Sequence, residues 1–285
     1  MPADTAEPTD PVASGPEPSA AEPSRVVRSL RRPRVGLMYP TQDCGEDDYP
    51  ALAAGLDPVP AIETVYLTWP DTVGDLADLD GAGRRRAVTE LGALETLRSA
   101  ADGFEQAPDV VTVACSSCTF LGGLAHAQEQ VRMLTGHLGV PAGSTSLAFV
   151  TAVRRLGIDA VGLASVYSPD VTDAFADFLA EAGVRTVHRV SADAPSDRAL
   201  ARWGSEEISG LLRAADSPDA EAVLLPETAL HTAGLVGRLA ALVGKPVLTA
   251  TQVTLWQALD LLGHADRQTV FRPLSRSLGQ PARQG

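Results

Sequence analysis

Cysteine is scarce in this chain: Cys44, Cys115 and Cys118 are the three among 285 residues. They cannot form a disulfide framework, none of their spacings completes a four-ligand zinc pattern, and such usage predicts a reducing cytoplasm. Aromatic residues are also few, at 5%, so aliphatic side chains must supply the core, and a hydrophobic content of 45% makes that core ample. Basic residues number 23 against 36 acidic ones, a net charge of -13. A nucleic-acid partner would call for a basic patch, and the balance gives no support for binding anionic lipid. No apolar run approaches the ~18 to 20 residues needed to cross a membrane, and the amino terminus has no apolar signal core, which argues against secretion. No Gly-x-Gly-x-x-Gly follows a strand and no Gly-x-x-x-x-Gly-Lys-Ser/Thr is present, so dinucleotide and P-loop chemistry are disfavoured. The five histidines share no ligand spacing, although His231, four residues beyond Glu227, is placed at the rim of any site there. Neither metal nor cofactor is expected.

What is present begins with a tail. Residues 1–25 carry Pro2, Pro8, Pro11, Pro16, Pro18 and Pro23 among Ala, Ser, Thr, Asp and Glu. That composition cannot bury enough apolar surface to offset its ordering entropy and predicts disorder. The basic cluster Arg25, Arg28, Arg31, Arg32 and Arg34 follows as a solvated boundary, so residues 1–32 stand apart from the folded chain.

From Val35 onward strand and helix patterns alternate. Strands are predicted at 35–38, 64–67, 110–114, near 140, and at 160–164, 186–190, 222–225 and 246–248. Helices are predicted at 83–103, 124–138, 148–156, 170–182, 205–215, 234–243 and 254–262. In the first helix Val88, Leu91, Leu94, Leu97 and Ala101 recur at helical spacing. Such alternation is the signature of a parallel α/β sheet with helices on both faces. The pattern also occurs twice. Val35-Gly36-Leu37-Met38-Tyr39-Pro40 is echoed by the stretch from Val161 to Pro169, Val113 to Ser116 by Leu225 to Thr228, and Pro141 to Gly157 by Pro246 to Gly263. Three echoes in one order predict duplicated α/β halves related by an approximate two-fold axis, with a site in the cleft between them.

The stretch Asp109 to Gly123 is the most informative. Val110, Val111, Val113 and Ala114 make a strand buried on both faces, and the chain leaves the sheet at Cys115 into Ser116, Ser117 and Thr119. A thiol at the carboxyl end of a parallel strand, before a helix, sits where free backbone N–H groups favour a reactive thiolate or a bound carboxylate. The alternative is a small apolar filler at a buried strand end. The two-fold relation sets Glu227 opposite Cys115, with residues 39–43 and 167–170 bordering the same cleft. A thiol and a carboxylate on opposite walls can act on two faces of one substrate carbon, while Ser116, Ser117 and Tyr167 hold a carboxylate and its developing enediolate charge. A helix-start carboxylate for Glu227, and a turn and cap for Tyr167, are the simpler readings. Cys44 is expected to be an ordinary loop thiol and Cys118 a packed one.

In their order, these motifs resemble the aspartate/glutamate racemase superfamily, in its branch of maleate cis-trans isomerases and arylmalonate decarboxylases. The resemblance rests on Val35 to Pro40, Ala114 to Phe120, Leu156-Gly157 with Val161 to Tyr167, and Leu224 to Thr228 followed by Gly244 to Val247. It implies two flavodoxin-like halves, residues 33–143 plus 249–285 and residues 144–248, and cofactor-independent chemistry on small carboxylic or dicarboxylic acids. An isomerase or racemase working through a thiol adduct or enediolate is the leading expectation; an arylmalonate-type decarboxylase and a non-catalytic carboxylate-binding protein are the alternatives. Oligomeric state is left open. Cys115 matches the first-loop catalytic cysteine; Ser116, Ser117 and Tyr167 match carboxylate-binding positions, joined by Thr228; and Pro40 with Thr41 matches the first loop. Asp43 falls near a substrate-binding asparagine of the isomerases, where its charge would repel a second carboxylate. Glu227 stands where relatives place a second cysteine, so a two-thiol mechanism is excluded.

Overall fold

The computed structural model, which describes residues 32–264 apart from residue 72, contains two four-stranded parallel sheets whose central strands are buried β-branched and aliphatic runs, with one half-buried or exposed edge strand in each. Residues 1–31 of the predicted tail and residues 265–285 lie outside this range. In the first sheet β1 (Arg34–Tyr39) pairs with β2 (Ala61–Tyr66) and β3 (Val110–Val113), and β3 pairs with β4 (Ala142–Ser144). The second repeats that order: β5 (Ala160–Ser165) lies between β6 (Arg185–Ser191) and β7 (Ala222–Leu225), and β7 pairs with β8 (Val247–Thr249). Val35 is level with Val110 and Val113 with Ser144; Val161 is level with Ala222 and Leu224 with Leu248. All strand pairs are parallel, so the carboxyl ends of each sheet's strands share one edge.

Helices connect the strands. They are α1 (Asp48–Ala53), α2 (Gly81–Leu91), α3 (Leu94–Ala101), α4 (Ser117–Phe120), α5 (Gly123–Leu138) and α6 (Thr145–Arg155) in the first part of the chain. Then come α7 (Pro169–Glu181), α8 (Asp197–Leu200), α9 (Ser205–Ala215), α10 (Val236–Val243) and α11 (Ala250–Leu261). The single helix expected over 83–103 is two, α2 and α3, broken at Gly92 and Ala93. The break has a tertiary cause: the carbonyl oxygen of Cys118 sits 2.0 Å from where a Cβ on residue 92 would stand. Gln130 Nε2 donates to both the Gly92 and Cys118 carbonyls, at 2.7 and 3.1 Å, and fixes that approach.

The equivalent helices α6 and α11, which follow β4 and β8, pack on each other along the seam between the sheets. Thr145 Oγ1 meets Thr254 Oγ1 at 2.8 Å, and Gln257 accepts from Ser144 N and donates to Thr151 Oγ1. From this seam α11 reaches back onto α1, β3 and β4, while Phe149 of α6 packs edge to face on Phe175 of α7. Phe149 is fully buried, and each such side chain contributes roughly 1.5–3 kcal/mol of apolar burial. The seam therefore holds both sheets in one core, and their strand ends keep a fixed relation.

Candidate active site

Four strand ends supply the site. Cys115 stands two residues beyond β3 and Glu227 two residues beyond β7, while Pro40 directly follows β1 and Tyr167 lies two residues beyond β5. Together with Ser116, Ser117 and Thr228 these residues line one cavity of about 110 Å³. Cys115 is 5% exposed and Glu227 8%.

Local hydrogen bonds hold the thiol's loop. The Thr119 hydroxyl lies 3.0 Å from the Cys115 carbonyl and 2.8 Å from that of Ser116, and it accepts from Ser146 Oγ at 2.7 Å. Cys118 packs behind it, fully enclosed, where burial raises its thiol well above the ordinary range. Ser116 is 2% exposed, and its Oγ has no hydrogen-bond partner among the described residues. A buried hydroxyl left without a partner in a cavity wall is a place for a ligand oxygen.

Elsewhere in the lining the Glu227 carboxylate accepts from Ala229 N at 2.7 Å. Burial pushes its pKa up to about 7, and the charge of Asp197 adds to that rise, so near neutral pH the side chain both accepts and releases a proton. Tyr167 packs its ring edge-on against Phe120, and its hydroxyl donates to the Pro226 carbonyl. Burial, then the charges of Glu227 and Cys115, raise the phenol well above its usual value, which keeps it a hydrogen-bond donor.

The first loop is pinned rather than poised. Tyr39 Oη lies 2.9 Å from the carbonyls of Cys44 and Thr228, and Asp48, 4% exposed, accepts from the backbone N–H groups of Thr232 and Ala233. Gly45, at φ +101°, packs so tightly on Ala229 that a Cβ would come within 2.7 Å of its carbonyl oxygen. This clasp decides where the remaining expected residues go. Thr41 accepts from Trp69 Nε1, Asp43 is exposed at φ 58°, and neither lines the cavity. His231 is likewise outside the lining and meets Asp47 at 2.9 Å. Cys44 is not an ordinary loop thiol: it is fully enclosed under the clasp, and burial pushes its pKa up to about 12.

Other residues of the lining were not singled out from the sequence. Trp69, Asp197 and the helix face carrying Gly81, Arg84, Arg85 and Val88 also bound the cavity. Spacings of three, four and seven residues mark one face of α2, a signal present in the sequence, whereas nothing local marks Trp69 or Asp197. Among the described residues no three of His, Cys, Asp and Glu come together as a metal site.

Comparison with known proteins finds the same architecture. The family model described as arylmalonate decarboxylase matches residues 92–272. The arylmalonate decarboxylase of Bordetella bronchiseptica is 28% identical over 161 residues, which is 56% of this chain and 67% of that one. A structure of unliganded arylmalonate decarboxylase superposes with a TM-score of 0.63 at 25% identity, covering 80% of this chain and 92% of that chain. The maleate isomerase Iso from Pseudomonas putida S16 shares the fold with a TM-score of 0.69 at 16% identity, covering 82% and 94%.

Proposed function

The chain belongs to the arylmalonate decarboxylase family, and from that premise we propose that it is a cofactor-independent isomerase or racemase acting on a small carboxylic acid. The observation that carries this reading is the placement of Cys115 and Glu227, from equivalent strand ends of the two sheets, in the walls of one cavity. Members of the family are enzymes, and their site chemistry must here be run by one thiol and one carboxyl.

In the proposed cycle the substrate carboxylate is held by Ser116, Ser117 and the N–H groups at the start of α4. One of the pair, Cys115 thiolate or Glu227 carboxylate, removes the α-proton, and the electron pair moves into the carboxylate to give an enediolate. The partner, which carries a proton, delivers it to the opposite face. Each turnover inverts the carbon and exchanges the protonation states of the two side chains, so the reverse reaction starts from the state the forward one leaves. A Glu227 pKa near 7 suits both roles at neutral pH. The hydroxyl of Ser116, unpartnered in the cavity wall, is placed to meet the growing charge.

Decarboxylation is the second reading, favoured by the apolar part of the lining, where Leu76, Val88, Leu121 and Val171 stand. An apolar wall disfavours a carboxylate relative to neutral carbon dioxide, and the same pair would then protonate the carbanion. Incubation of a panel of 2-substituted and malonate-type acids in deuterium oxide, followed by proton NMR and carbon dioxide assay, tests both. Label at the α-carbon without gas release supports racemisation or isomerisation, and gas release supports decarboxylation. Neither result with any acid would leave a carboxylate-binding protein.

A further inference from the structure

The cations of the cavity all come from one helix face. Gly81, Arg84, Arg85 and Val88 of α2 line it together, and no lysine or further arginine joins them among the described residues of the lining. Asp197 and Glu227 are the acidic residues of the same lining. An anionic group entering the cavity is therefore attracted on the α2 side and repelled by Asp197.

The two guanidinium groups differ. Arg85 Nη1 lies 3.7 Å from Asp170 Oδ2, a long contact between side chains that are 40% and 58% exposed and hence a weak one. Arg84 is half-buried, spends its Nε–H on the Leu79 carbonyl at 3.1 Å and has no carboxylate partner among the described residues. Its remaining donors form the planar fork that suits a carboxylate.

Helix geometry sets the backbone of residue 84 back from the turn that carries the thiol. The carboxyl end of α2 is pinned where Gly92 meets the Cys118 carbonyl, beside Cys115. Residue 84 is eight positions earlier, about 12 Å back along the helix axis, with Val88 between. A carboxylate held at Ser116 and one held at Arg84 are thus separated by an apolar stretch of wall.

We propose that Arg84, assisted by Arg85, binds a second carboxylate of the substrate, one several bonds removed from the reacting carbon, so that the preferred substrates are extended dicarboxylic acids. This rests on the reading of the Cys115 cavity as the reaction site. It replaces the position of Asp43, which lies outside the cavity, as the place where a second carboxylate is read.

Isothermal titration calorimetry on the full chain tests the inference, with diacids from succinate through suberate and the monoacid of matching length for each. The expected result is a longer diacid bound at least tenfold more tightly than both succinate and its own monoacid. R84Q should cut that preference at least tenfold. Phenylglyoxal labelling of the unaltered chain, with peptide mapping, reads the same contact without a variant, and Arg84 should be protected by the preferred diacid and not by its monoacid. Equal binding of diacids and monoacids, an undiminished preference in R84Q, or Arg84 labelling indifferent to the diacid would overturn the proposal. None of these measurements needs turnover, so a chain that binds extended diacids through Arg84 yet exchanges no deuterium would refute the proposed reaction and uphold this subsite.

Discussion

The Tyr167 hydroxyl donates to the Pro226 carbonyl oxygen at 2.5 Å, so a residue beyond β5 holds the peptide immediately before Glu227. The contact ties two strand-end loops of the second sheet and sets the height of the carboxyl in the cavity wall.

Replacing Tyr167 by Phe keeps the packing on Phe120 and removes this donor. Leaving a buried carbonyl unpaired costs roughly 1–3 kcal/mol, which urea denaturation should register. With Glu227 no longer held in place, kcat on any substrate found should fall at least tenfold while KM changes less.

Gly92 is required by a close approach rather than by backbone conformation. In the G92A variant the new methyl group meets the Cys118 carbonyl, a backbone atom that cannot swing away, and one of the two helices must shift. Overpacking of this kind costs about 1–3 kcal/mol. Because Cys118 belongs to the turn that presents Cys115, activity should drop with stability. A G92A protein with wild-type melting temperature and turnover would show that the packing of α2 on this turn is not needed.

The buried acid makes stability depend on pH. Burial raises Glu227 from its ordinary 4.5 to about 7, so the folded chain keeps a proton that the unfolded chain releases. Its stabilising contribution is complete below about 4.5 and is lost as the pH rises through about 7. At pH 8 the ionised form therefore costs on the order of 3 kcal/mol relative to a neutral side chain. E227Q, whose amide oxygen can still accept from Ala229, should melt above the wild type at pH 8 and match it near pH 4. Identical melting curves at both pH values would mean that the carboxyl is ionised without penalty.

How far the sequence could be read follows from which contacts are local. β3 and β7 were legible because a strand buried on both faces must be a short apolar run, and the small polar residues after Val113 and the Pro226-Glu227-Thr228 turn after Leu225 mark where each leaves its sheet. Those signals alone put Cys115, Ser116, Ser117 and Glu227 on strand-end loops. The break at Gly92 was not legible, since Val88, Leu91, Leu94 and Leu97 continue in phase across it and its cause is a carbonyl from residue 118. Cys44 reads as an ordinary loop thiol, and Asp43 is set at the cleft by the repeat and the family resemblance. Their positions are decided instead by the contacts of Tyr39 with Thr228 and of Asp48 with Thr232, each more than 180 residues further along the chain. Arg84 was visible as helix periodicity but had no meaning until the cavity gave that face a neighbour.

The proposed reaction has Cys115 and Glu227 serving opposite faces of one carbon. It is tested most directly by solvent deuterium exchange into each enantiomer of an accepted acid, measured for C115S and E227Q. Both variants should lose racemisation. C115S should still exchange the α-proton of one enantiomer, through Glu227, and E227Q should still exchange that of the other, through Cys115. Exchange surviving in the same enantiomer for both variants, or racemisation surviving in either, would contradict it.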